Sequence, residues 1–111
     1  MRIRKQDYND VTVIQLQGQL DCDTTDQLRN TITEVIATNK IGIVLDMSDV
    51  DFIDSEGLEQ LLWAKDYCDD NKAQLRLAGL DENCEQILLM TRLDSQFNRY
   101  AELAQAVKSF A

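Results

Sequence analysis

Ile41-Gly42-Ile43-Val44-Leu45, followed without a break by Asp46-Met47-Ser48-Asp49-Val50-Asp51-Phe52-Ile53-Asp54-Ser55-Glu56-Gly57-Leu58-Glu59, is the stretch that decides the fold. Its first five residues are apolar without alternation, the pattern of a short strand covered on both faces, as in the parallel centre of an α/β sheet. Its end opens a helix predicted from about Glu56 to Asp70, with Leu58, Leu61, Leu62 and Cys68 facing inward. The acidic run between the two reads as the connection from the carboxyl end of the strand to the helix N-terminus. In open α/β sheets that end of the strands is where ligands and partners meet the protein.

Working outward, the same alternation of short strand and helix continues on both sides. Upstream, Ile3 to Asn9 reads as a polar edge strand, and Asn9-Asp10 as a tight turn into the β-branched run Val11 to Leu16. Thr24 to about Thr38 reads as a helix, with Leu28, Ile32, Val35 and Ile36 on one face. Thr24 and Gln27 have the spacing of a capping box, and Asn39 tolerates the left-handed backbone that ends a helix. Downstream, Asn71-Lys72 breaks the second helix and Leu75 to Ala78 makes a short strand ending at Gly79. Asp81 caps a third helix that carries Cys84, Ile87 and Leu88. A brief extended piece is expected near Gln96 to Asn98, then a last helix with Leu103, Ala106, Val107 and Phe110 on one face.

A hairpin followed by right-handed βαβ crossovers implies a mixed sheet of four to five strands, parallel in its centre, packed with about four helices. The fold class is α/β, with residues 1–111 expected to form one domain. The chain holds no proline and only four glycines, so nothing marks a linker.

Composition narrows the function. With 11 basic and 20 acidic side chains the formal net charge is −9, which disfavours binding to nucleic acid or to an anionic membrane surface. No histidine is present, so Ser-His-Asp and Cys-His nucleophiles and His-containing zinc sites are excluded. The carboxylates from Asp46 to Glu59 do not follow the Ca²⁺-loop spacing, and no Walker loop or G-x-G-x-x-G is present. The reading is of a non-enzyme without cofactor or metal. The three cysteines, Cys22, Cys68 and Cys84, form no close pair and read as buried or half-buried free thiols. No apolar run approaches the length of a membrane span, and the N-terminal segment is too polar for a signal peptide. The expected location is the cytoplasm. At the helix start, Ser55 is a good N-cap and Glu56 sits in the first turn, where the helix dipole favours negative charge.

Asp51-Phe52-Ile53-Asp54-Ser55-Glu56-Gly57-Leu58, preceded by Ile43-Val44-Leu45-Asp46, resembles the D-x-[aromatic]-[aliphatic]-D-S-[S/T/A]-G-L signature of STAS domains, which include the anti-sigma factor antagonists. Gln17-Gly18-Gln19-Leu20-Asp21, followed by Thr24, resembles the G-x-L-D element of the same family. The resemblance implies a partner-switching module, in which a kinase-type anti-sigma factor phosphorylates a serine beside the D-S pair and binds only the unphosphorylated form. Carried across, the acceptor position falls on Glu56, which has no hydroxyl and carries −1 against −1.5 to −2 for phosphoserine. Ser55 is the neighbouring hydroxyl and an alternative phosphosite. The partner-binding residues implied are Asp21, Thr24, Asp54, Ser55, Glu56, Gly57, Leu58 and Glu59, on the loop after Leu16 and the segment from Asp51 to about Leu62.

Three functions stand side by side. The first is an antagonist-like protein that binds an anti-sigma factor of the serine-kinase type. The second is a stand-alone STAS subunit of a transporter or stress-signalling complex, which needs no phospho-switch. The third is a nucleotide-binding domain. Trp63, Tyr67 and Phe97 are either exposed anchors for a partner or part of the core and its rim.

Overall fold

The computed structural model describes residues 1–110; Ala111, the last residue of the expected domain, lies outside the described residues. Nine regular elements follow in order: β1 (Arg2–Tyr8), β2 (Val11–Leu20), α1 (Thr25–Ile36), β3 (Gly42–Ile53), α2 (Ser55–Asp70), β4 (Gln74–Ala78), α3 (Glu82–Met90), β5 (Asn98–Tyr100) and α4 (Leu103–Lys108). Single 3-10 turns lie at Cys22–Thr24 and Asp94–Gln96. The five strands form one sheet in sequence order, with β1 antiparallel to β2 and every other pair parallel. This is the expected mixed sheet with four helices. The turns at Asn9, Asn39 and Lys72 each take a positive φ of 57–62°, the left-handed backbone that asparagine adopts more readily than most residues.

The helices divide unequally between the faces. Leu28, Ile32 and Val35 of α1, Leu61, Ala64 and Cys68 of α2, and Cys84 and Leu88 of α3 pack with Ile14, Leu16, Leu45, Met47 and Leu77 from the sheet. On the opposite face α4 stands alone, its Ala106 against Val11, Val13, Val44 and Ala78. Gly42 permits that packing, since a Cβ there would lie 2.1 Å from the Phe110 ring.

The central strands depart from the sequence reading. β2 does not stop at Leu16 but runs ten residues to Leu20, and β3 runs twelve residues to Ile53. The segments expected to be loops, Gln17 to Leu20 and Asp46 to Ile53, are therefore strand. Twelve residues align with ten because the register shifts twice, between Gln15 and Gln17 and between Gly18 and Gln19. Each shift places an extra residue in β3, and a bulge of this kind resets which face the following side chains point to. That explains the paired exposures of Ser48-Asp49 and Asp51-Phe52, each pair followed by a buried residue, Val50 and Ile53. Two smaller corrections concern the C-terminal part. The extended piece is Asn98–Tyr100 rather than Gln96 to Asn98, and α4 ends at Lys108, leaving Phe110 beyond the helix.

A candidate binding face at one end of the sheet

Because of the two bulges, Leu20 and Ile53 pair directly and both strands end together. Asp21 and Asp54 each follow at once, so the two acidic positions singled out in sequence lie side by side. Asp54 is the single residue between β3 and α2, and its N–H donates to the Leu20 carbonyl at 3.3 Å. Its extended backbone lets the carboxylate turn back to accept from the Gly57 N–H at 2.9 Å. Asp54, not Ser55, is therefore the N-cap of α2. A strand residue that ends the ladder already has the φ and ψ a cap needs.

Gly57 is fixed by contact rather than by backbone conformation. A Cβ on it would lie 2.2 Å from the Leu20 carbonyl oxygen, so only glycine lets the first turn of α2 rest on the end of β2. Ser55 and Glu56 project to solvent from that turn. Among the described residues nothing hydrogen-bonds the Ser55 hydroxyl, since Asp54 has taken the capping role. Leu58 is half-buried against the core and Glu59 is exposed.

The Asp21 corner is a second cap. Asp21 accepts from the Asp23 N–H at 3.0 Å, and its own N–H donates to the Thr24 hydroxyl at 3.2 Å. The capping box therefore joins Asp21 and Thr24 around the 3-10 turn. The expected Thr24–Gln27 box is absent, because the Thr24 hydroxyl is turned inward and α1 starts without a side-chain cap. Thr24 and Gly57 are buried, so they shape this face from beneath.

Sequence reasoning missed the residue that joins the two corners. Gln60 is 2% exposed on the inner side of α2. Its amide donates to the Asp21 carbonyl at 2.5 Å, and its Oε1 is a second acceptor, at 3.3 Å, for the Thr24 hydroxyl, whose nearer acceptor is the Asp21 carbonyl at 2.8 Å. The signal was available: Gln60 stands among Gly57, Leu61, Ala64 and Cys68 on the buried stripe, and a polar side chain there requires partners.

Cys22 was also misplaced, since it is exposed while Cys68 and Cys84 are buried. Its thiol is held above the ordinary range mainly by the Asp23 charge beside it, then by partial desolvation, with Asp21 and Asp54 adding to the effect. Burial pushes the Cys68 and Cys84 thiols up to about 12. Trp63 and Tyr67 are half-buried and stacked at 5.0 Å, with the Arg29 guanidinium 4.9 Å from the Trp63 ring centroid. Phe97 is core. Among the described residues no group of three His, Cys, Asp or Glu is placed to hold a metal ion, and no helix is long and apolar enough to cross a membrane.

A mixed sheet with three helices on one face, and an acidic corner where two parallel strands end, defines a small α/β domain. Residues 2–106 match the STAS domain, and the chain belongs to that family. Over 55 residues it is 40% identical to the anti-sigma-F factor antagonist RsfB of Mycobacterium tuberculosis, a match covering 50% of this chain and 45% of that protein. In structure it resembles an anti-sigma factor antagonist from Mycobacterium paratuberculosis, with TM-score 0.85 and 24% identity over 97% of this chain and 92% of the other. It also resembles a sulfate transporter family protein from Wolinella succinogenes, with TM-score 0.83 and 18% identity over 92% and 85% of the two chains. At these identities the structural likenesses speak for the fold.

Proposed function

We propose that this protein is an anti-sigma factor antagonist-type regulator, cytoplasmic and without catalytic activity, that binds an anti-sigma factor of the serine-kinase type. The binding face is the Asp21–Thr24 turn together with Asp54 to Glu59. The observation that carries the reading is the placement of Ser55 and Glu56, exposed on the first turn of α2 and beside the Asp21 corner. A phosphate or a carboxylate there lies at the positive end of the helix dipole and within the contact surface, so charge added at this point acts on binding. Glu56 supplies part of that charge permanently. Ser55, relieved of capping, is the hydroxyl available for modification. The acidic face steers toward a basic partner surface, and association weakens as salt rises.

The test is capture from the lysate of the source organism, comparing the protein with its Glu56→Ser variant and identifying bound proteins by mass spectrometry. Capture of a kinase-type anti-sigma factor, stronger with the serine variant, is the expected result. Equal capture of transporter or stress-complex subunits by both forms overturns it in favour of an assembly subunit.

A further inference from the structure

We infer that Gln60 is a positioning residue that clasps the Asp21–Thr24 turn to the start of α2, so that the two halves of the binding face move as one body. The inference rests on the proposed function for its meaning, but the clasp itself is read from geometry.

The turn and the helix come from segments 36–39 residues apart, and the apolar contacts beneath them have no direction. A buried amide does have one. The Asp21 carbonyl accepts from the Gln60 amide, from the Thr24 N–H at 3.2 Å and from the Thr24 hydroxyl at 2.8 Å, and Gln60 Oε1 lies within 3.3 Å of that same hydroxyl. Gln60 lies one helical turn beyond Glu56, so the backbone that bears the charged position also bears the clasp. Three further contacts tie the same helix start to β2: the Asp54 N–H on the Leu20 carbonyl, the Gly57 approach to that carbonyl, and the Leu20–Ile53 pairing. None of these reaches Asp21, Cys22 or Asp23. Gln60 alone among the described side chains of α2 hydrogen-bonds the turn. Without it the capping box, whose Asp21 carbonyl and Thr24 hydroxyl both face Gln60, loses its brace against α2 and opens more often.

Gln60→Met keeps the length and bulk of the side chain and removes the amide donor to the Asp21 carbonyl and the Oε1 acceptor beside Thr24. Amide exchange followed by NMR should show the Asp23 and Thr24 amides exchanging about tenfold faster, with Val44 and Leu45 in β3 unchanged. In the unaltered protein the Gln60 side-chain amide protons should exchange slowly, a reading that requires no variant to fold. Fast exchange of those protons, unchanged turn amides in Gln60→Met, or equal acceleration throughout the chain would each overturn the inference. Exchange reads the clasp without a partner and lysate capture reads the face, so either can fail alone.

Discussion

Gly57 shows how one residue joins sequence motif to architecture. Its place in the D-S-x-G-L pattern looks like a helix-start preference, yet its φ is not in the left-handed region and carries no such demand. What it supplies is the missing Cβ, which would otherwise lie 2.2 Å from a backbone oxygen that cannot retreat without breaking the β2 ladder. Gly57→Ala should therefore destabilise the protein by about 1–3 kcal/mol, measured by urea unfolding, although alanine is the better helix former. A neutral or stabilising result would mean that α2 can shift away from β2 at little cost.

At the scale of elements, α2 depends on a cap that doubles as a member of the proposed interface. Asp54→Ala removes both roles and should cost about 1 kcal/mol of stability. Asp54→Asn keeps the cap and removes the charge, so it should match the parent in urea unfolding while weakening partner capture. Loss of stability equal to that of the alanine variant would show that the charge, not the cap, holds the helix start. The same region marks the limit of what the sequence disclosed. Periodicity found every helix and the chain order of the strands, because each helix has one apolar face and the central strand, covered on both faces, begins as an unbroken apolar run. It failed along β3, where two bulges interrupt the alternation and turn acidic residues outward in adjacent pairs, a pattern that resembles a loop. The expected Asp81 cap is in place, accepting from the Cys84 N–H at 2.8 Å. Two other caps fall on different residues: Ser55 and Thr24 have the chemistry for the role, whereas the extended backbone needed for it falls to Asp54 and Asp21. Gln60 remained unread because its partners are a hydroxyl and a carbonyl 36–39 residues away, a relation no local pattern contains.

For the molecule as a whole, the two buried thiols set an alkaline limit. An unfolded thiol ionises near 9.0, whereas Cys68 and Cys84 in the fold ionise at about 12. Their contribution is complete below pH 9 and is lost as pH rises toward 12, because only the unfolded state releases the protons readily. Urea unfolding at pH 8 and pH 10 should show lower stability at pH 10, and the drop should shrink in the Cys68→Ala, Cys84→Ala double variant. An identical drop in that variant would assign the effect to other groups.

The single-residue step from β3 to α2 has a mechanical meaning as well. A longer linker would absorb an added charge by bending away, and a partner would have to restrain it anew at every encounter. Here the conformational cost was met when the sheet formed, so a partner encounters a stiff platform whose shape scarcely varies. Under the proposed function, regulation on such a platform acts through the sign and number of charges it displays. On that proposal the protein operates as a key whose cut is constant and whose coating is altered.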